Sequence, residues 1–529
     1  MADDLLRYLI LGTYVLTLVA VAVYGLHRYH LVYLFIKQRK DGHVPPKHFE
    51  ELPLCTIQLP MFNEREVAER VIDAAVLVDW PKDRLEIQVL DDSTDGSEEI
   101  ALACVEKWKA RGYDISYHHR TDREGYKAGA LAEGLKTAKG EFIAIFDADF
   151  VPPREVLHNV IQHFTDPKIG MVQVRWDHLN RGASLLTKGQ AIFLDGHFVI
   201  EHTARNYSGR FMHFNGTAGV WRRQTICDDG GWQHDTLTED LDLSYRAQIK
   251  GWQFVYLPHF CAPAELPPEI VSFKQQAHRW TKGSMQTALK LLPKILKSKT
   301  LPKHVKTEAF FHLTNTVVYP LMVLLTLIMY PAFIFAGGPL KQHPLASWLF
   351  GITLYVLATC AAGTFCVYAQ TVLFGRREGW KSFRYLPYLM ALGVGLSLNN
   401  TRAVFEAFFT KSGKASNEFI RTPKYGVTGK CDASDKAMVR NIVRSNVTKP
   451  ALPISKLLAA VLEICFGLYM TVFIWVACVY DYAWFSVPFL AIFAGGYFYV
   501  GCTTVYVLWQ MHAEKLVALE PVETKIVGL

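Results

Sequence analysis

The chain has 529 residues, half of them apolar, and carries 56 Lys and Arg against 49 Asp and Glu for a net charge of +7. That is too long for one ordinary domain, and the apolar share is high for a wholly water-soluble enzyme. The small positive excess comes without any basic helix interleaved with aromatics, which argues against nucleic acid as a partner, and the cysteines form no CxxC or paired framework and read as reduced and structural.

Charge is dense over residues 40–305 and sparse over 306–374 and 455–511, so a soluble domain is spliced into a membrane region. The uncharged run 8–26 is long enough to span a bilayer. Asp3 and Asp4 precede it, and Arg28, Lys37, Arg39 and Lys40 follow. A cleaved leader would have its basic residues first, so residues 1–40 read as an anchor with the N-terminus outside and the chain cytosolic from residue 40. Residues 41–53 are a Pro-rich linker. Strands are predicted at 55–59, 85–90, 115–119, 141–146 and 169–174, alternating with helices at 65–78, 97–111, 127–138 and 153–164. This alternation predicts an α/β domain over 50–285 with a doubly wound, mostly parallel sheet. Ligands bind such sheets at the carboxyl ends of the strands, where Asn63-Glu64, Asp91-Asp92-Ser93 and Asp147-Ala-Asp149 fall. No GxGxxG and no P-loop is present. The histidines lack zinc spacing, and His118-His119 ends a strand.

Three carboxylate clusters follow in order. In Asp91-Asp92-Ser93-Thr94-Asp95-Gly96, turn and cap chemistry with Ser97 capping a helix competes with a nucleotide-binding role. Asp147-Ala-Asp149 closes a buried strand and suits Mg²⁺ or Mn²⁺ beside substrate phosphates, although one Asp also suits a cap. Thr238-Glu239-Asp240 opens a helix over 239–250. Thr236 and Glu239 fit a capping box there, which leaves Asp240 as a general base toward an acceptor hydroxyl. In Gln276-Ala-His-Arg279-Trp280 the spacing puts carboxamide, guanidinium and indole on one helical face. The guanidinium suits a diphosphate and the indole a sugar ring, although an ordinary amphipathic helix has the same pattern.

Beyond residue 285 a Lys-rich amphipathic stretch, 286–305, reads as interfacial. Spans are predicted at 313–336 and 348–373 within 306–375, and at 457–479 and 483–508 within 455–512. Residues 513–529 then form a cytosolic tail. The apolar run within 386–409 is too short to cross, and the basic stretch 410–454 belongs in the cytosol, so 385–454 reads as an interfacial helix and a loop. Five spans result. Glu463 lies inside one of them and faces either a sugar path or the headgroups.

DDS, DAD, TED and QxxRW in this order, with membrane flanks, resemble the signature of processive inverting family 2 glycosyltransferases, the group of cellulose, hyaluronan and mannan synthases. Phe214-Asn-Gly-Thr-Ala-Gly-Val-Trp-Arg222 is similar to the plant cellulose-synthase-like A and C enzymes, which make (gluco)mannan and xyloglucan backbones, while the short termini resemble a bacterial relative in an inner membrane. The resemblance implies a GT-A domain. It implies that Asp92 and Asp147 contact the nucleotide and Asp149, with Asp147, the metal. Glu64 would sit near the base, Lys127 near the diphosphate, and Arg279 on the departing diphosphate. Asp240 would be the base, with Asp92 also in the catalytic set. Phe214, Asn215, Gly216, Thr217, Glu239, Gln276 and Trp280 would take the acceptor. Phe419-Ile-Arg-Thr-Pro-Lys424 is similar to the FxVTxK gating loop of bacterial cellulose synthase, with Arg421 where Val is usual, which implies that Thr422 and Lys424 reach the diphosphate. The expected partners are a nucleotide sugar (UDP-glucose or GDP-mannose), a β-1,4-linked polysaccharide acceptor and the lipid bilayer. The alternative is a non-processive enzyme adding one sugar to a lipid or oligosaccharide.

Overall fold

The computed structural model describes residues 2–38, 42–342, 363–409, 421–426, 454–479 and 486–519. Seven strands form one mixed sheet, in the order β3-β2-β1-β4-β6-β5-β7. They are β1 (Cys55–Met61), β2 (Leu85–Asp91), β3 (Asp114–His119), β4 (Phe142–Ile145), β5 (Ile169–His178), β6 (Gly219–Arg222) and β7 (Gln253–Ala264). β1 lies parallel between β2 and β4, and β3 is parallel to β2. β6 runs antiparallel to both β4 and β5, and β7 is parallel to β5. Every residue of β1, β2 and β4 is buried, as expected where helices cover both faces. On one face Val71, Ile72 and Ala75 of the Ala68–Val76 helix pack into the core; on the other, Leu131 and Leu135 of the Tyr126–Thr137 helix do so with Phe214 and Trp221.

The first five strands stand where the alternation predicts them. β6 and β7 lie beyond that prediction. β6 is only four residues long, and β7 contains Pro258 and Pro263 and shifts register between Val174 and Arg175 of its neighbour, which hides it from a strand pattern. Two caps also differ. The helix Glu239–Ile249 has Thr238 as its N-cap without a side-chain bond, so Thr236 is two residues too early for the expected capping box. Ser97 is the first helical residue rather than the cap; Gly96, at φ +87°, takes the cap position and Asp95 Oδ1 accepts from the Ser97 N–H at 3.1 Å.

The expected interfacial helix at 286–305 is instead the second half of one helix, Ile270–Lys297, which also carries Gln276–Trp280. Met285, Ala288, Leu291 and Ile295 on it are buried against Leu241 and Tyr245 and against Ala309 and Leu313, while Leu289 and Leu296 stay exposed. Among the described residues four helices are long and apolar enough to cross a membrane: Asp4–Gln38, Lys303–Ala332, Ile454–Val479 and Val487–Gln510. Most of the expected span 348–373 lies outside the described residues; its described end belongs to the apolar helix Gly363–Phe374. The stretch 386–409 forms two short helices, Leu386–Gly395 and Ser397–Phe409. The first presses so closely on the last helix that a Cβ on Gly395 would sit 2.4 Å from the Gly496 carbonyl oxygen, a small-residue contact of the kind that lets membrane helices approach. Glu463 faces neither a sugar path nor headgroups. It is 1% exposed and holds Lys274 Nζ at 2.6 and 2.9 Å, because Lys274 on the Gln276–Trp280 helix brings an ammonium to the same depth.

Candidate active site

The loops after β1, β2 and β4 meet at one cleft, whose wall includes Glu64, Asp92, Lys127, Asp147, Asp149 and Arg279. Thr422 and Lys424 close it from the far side. All the residues expected to hold the donor therefore converge, although they span 360 positions of sequence.

The loops are laced together. The Asn63 N–H donates to Ser93 Oγ at 2.7 Å, and Asn63 Oδ1 accepts from the Thr94 N–H at 2.8 Å. Asp91 is a turn organiser, accepting from the Tyr117 hydroxyl and the Ser93 N–H. Asp92 is gripped by both arms of Arg120 at 2.8 and 2.6 Å. Arg123 stacks its guanidinium over Phe62, 3.3 Å from the ring centre. Asn63, Arg123, Tyr126 and Ala218 all have positive φ without being glycine, backbone strain of the kind that collects at functional sites. Gly129 is obligatory, since a Cβ there would lie 1.9 Å from the Glu124 carbonyl oxygen.

Lys127 Nζ ties Asp147 Oδ1, at 2.5 Å, to the Gly216 carbonyl, at 2.9 Å. The Asp147 N–H donates to Thr217 Oγ1 at 2.9 Å. Burial pushes the Asp147 carboxyl up against the pull of Lys127. Asp149 Oδ2 accepts from Lys424 Nζ at 2.5 Å; burial lowers that ammonium, but Asp149 and Glu64 outweigh it and hold it above its ordinary value. Burial pushes Glu64 up to about 7, and its Oε2 is enclosed without a hydrogen-bond partner among the described residues. Two aspartates that each give one oxygen to a lysine, beside a third, under-bonded carboxylate, make an oxygen-only donor set that fits a hard divalent cation.

Asp240 sits on the first turn of its helix, with Oδ1 accepting from the Leu241 N–H at 2.8 Å. A Cβ on Gly216, which has φ +80°, would lie 3.1 Å from Asp240 Oδ2 and 3.4 Å from Lys127 Nζ, so the base candidate borders the cleft through that glycine. Burial, then the neighbouring Glu239 charge, pushes Asp240 up to about 7, with Lys127 opposing. The Ile270–Lys297 helix holds this corner. Gly283 presses on Thr238, Gln286 accepts from the Leu237 N–H at 3.0 Å, and Arg279 lies close enough to feel Glu239, Asp147, Asp149 and Asp240. Gln276 and Trp280 are half-buried on the same helix. Phe214 and Thr217 are fully buried, so they offer an acceptor no surface; Phe214 packs edge-on against Trp221 and Thr217 supports Asp147. Asn215 turns its amide toward His197 and His213.

The departure at Arg421 has a reason. Its guanidinium donates to the Asn63 carbonyl and lies 3.3 Å from Glu64, pinning the 421–426 segment across the cleft. Glu265 holds the other end, accepting from the Tyr425 and Gly426 N–H groups at 2.8 and 3.0 Å. Phe419 lies outside the described residues. Sequence reasoning missed Arg120, Arg123 and Glu265, since each acts only through contacts that the fold creates.

Residues 142–396 match the family described as glycosyl transferase family group 2. The chain is 35% identical to glucomannan 4-beta-mannosyltransferase 1 of Oryza sativa subsp. japonica over 73% of its own length and 72% of the relative's. The chain belongs to the family 2 glycosyltransferases, on their cellulose-synthase-like branch. This glycosyltransferase is also 38% identical to glucomannan 4-beta-mannosyltransferase 7 of Arabidopsis thaliana, over 53% of its own length and 52% of the relative's. Among solved structures, the mannosyltransferase PcManGT from Pyrobaculum calidifontis, in complex with GDP-Man and Mn²⁺, aligns over 67% of this glycosyltransferase and 98% of that chain at 19% identity and a TM-score of 0.45. As a family member it is a hexosyltransferase of polysaccharide biosynthesis with transmembrane helices.

Proposed function

We propose that the enzyme transfers mannose from GDP-mannose to the end of a growing β-1,4-linked chain at the cytosolic face of a membrane, and passes the product across the bilayer. The observation that carries the reading is the single cleft in which Glu64, Asp92, Lys127, Asp147, Asp149, Arg279 and Lys424 meet. Relatives named for β-mannosyl transfer at 35–38% identity favour mannose over glucose as the unit.

In this reading a divalent cation held by Asp147 and Asp149 supplies charge neutralisation on the donor diphosphate when bound. Lys127, Lys424 and Arg279 place three further positive charges around the same diphosphate, where negative charge grows as the sugar leaves. Asp240 takes the proton of the acceptor hydroxyl while that oxygen bonds to the anomeric carbon. The bond from that carbon to the diphosphate oxygen breaks as the new one forms, so an α-linked donor gives a β-linkage. Gln276 and Trp280 offer the acceptor a carboxamide and a flat apolar face.

Purified protein in lipid vesicles, given radiolabelled GDP-mannose or UDP-glucose in separate reactions, tests the reading. Incorporation from GDP-mannose into material cut by an endo-β-1,4-mannanase is expected. Polymer from UDP-glucose alone would reassign the donor, and a single sugar on lipid would replace chain synthesis.

A further inference from the structure

We propose that His197, His202 and His213 form a second metal site, for a borderline divalent ion of the zinc class, behind the 214–217 loop and apart from the carboxylate cleft. The linear spacing gives no hint of it. Residues five apart on an α-helix point about 140° away from each other. The chain here leaves the α-helix, however, and Gly196–His202 is one π-helical stretch, the geometry that brings i and i+5 together and that recurs at functional sites. His213 arrives from the segment leading to Phe214. One ring nitrogen from each of the three lies within 4.8 Å of the others.

The surroundings are those of a ligand set. His197 Nδ1 is hydrogen-bonded to Glu201 Oε2 at 2.8 Å, the outer carboxylate that orients a metal-binding imidazole and directs its Nε2 inward. That Nε2 and His213 Nε2 both meet the side-chain amide of Asn215, at 3.3 and 3.0 Å. Among the described residues, both nitrogens of the fully buried His202 lack a well-formed hydrogen bond, as does Asn215 Oδ1. A triangle with sides of 4.8 Å has its centre about 2.8 Å from each corner, so zinc–nitrogen bonds need each ring to move inward by only about 0.7 Å. The Asn215 amide, turned over, offers Oδ1 as a fourth ligand.

Three imidazoles select zinc, copper or nickel, whereas Asp147 and Asp149 select magnesium or manganese. The consequence of occupancy is mechanical. Asn215 leads directly into Gly216 and Thr217, which hold Lys127 and Asp147, so an ion here locks the loop on which the donor site rests.

The test is the metal content and Co²⁺ titration of the full chain in detergent, in excess Mg²⁺. About one equivalent per chain should survive gel filtration, with the ligand-field band of tetrahedral cobalt. Affinity should fall roughly tenfold or more in His202→Gln and in His213→Gln, and should persist in Asp149→Asn. X-ray absorption on the wild-type protein should report three imidazole nitrogens, a readout that needs no variant to fold. No retained ion, retention unaffected by both histidine substitutions, or loss in Asp149→Asn overturns the proposal and leaves the rings as neutral packing around Asn215.

Discussion

Asp240 combines two demands on one carboxylate: it must accept a proton, and it is buried beside another acid. With the carboxyl pushed up to about 7, it is protonated and useless as a base in acid, and ionised above neutrality. Transfer at saturating donor should therefore rise with pH through about 7 and then level off; a rate that stays flat down to pH 5 would remove Asp240 from that role. Removal of the cation should be equally plain. After stripping with EDTA, activity should vanish and return with Mn²⁺ or Mg²⁺, because the aspartates and Glu64 offer only hard oxygen ligands; full activity in excess chelator would contradict the assignment. Arg120 answers to the same logic from the structural side. Arg120→Met leaves the nearly buried Asp92 without its partner, a change that costs about 3–5 kcal/mol in buried pairs and should lower the thermal midpoint and weaken donor binding together. An unchanged midpoint would mean that solvent compensates Asp92 fully.

At the scale of elements, the Ile270–Lys297 helix joins catalysis to the membrane. Its middle carries Gln276, Arg279 and Trp280, its later turns brace Thr238, and its first turns reach Glu463 through Lys274. Glu463→Ala should destabilise the protein by about 3–5 kcal/mol, because it strands a buried ammonium, whereas Lys274→Met with Glu463→Leu should recover most of that loss. Thermal unfolding in detergent reads this, and a single variant as stable as the wild type would refute the clamp. The elements also mark the limit of what was legible. β1 to β5, the Asp92, Asp147–Asp149 and Asp240 positions and the Arg279 face could be read because strand alternation, turn chemistry and i, i+3, i+4 spacing are local. Arg120, Glu265 and the Lys274–Glu463 pair could not, since partners separated by 28 to 189 positions meet only after the sheet and helices assemble. The continuity of the Ile270–Lys297 helix across 285/286 was hidden because the Gln276–Trp280 face and the Lys-rich stretch after it read as separate elements. The burial of Phe214 and Thr217, expected at the acceptor, was not legible because a motif names residues without saying which way they point.

For the whole molecule, the proposed donor-binding domain and the apolar helices beside it together suit synthesis coupled to export. The two halves are physically continuous through the Ile270–Lys297 helix, and the 421–426 segment must share a compartment with Asp149, which it touches. The expected topology of five spans with an external N-terminus, four of them candidate spans among the described residues, would satisfy that requirement. Cys431 lies outside the described residues but is a suitable reporter in a variant whose other cysteines are replaced. It should react with an impermeant thiol reagent only after permeabilisation, and labelling in intact cells would break the topology. The most direct measurement is the size of the product made from GDP-mannose in sealed vesicles by the wild type and by Asp240→Asn, with donor binding measured in parallel. The account predicts a mannanase-sensitive polymer from the wild type, and a variant that binds donor normally yet makes roughly a hundred- to ten-thousand-fold less of it. A variant that polymerises at the wild-type rate, or a wild type that releases only single transferred sugars, would contradict it.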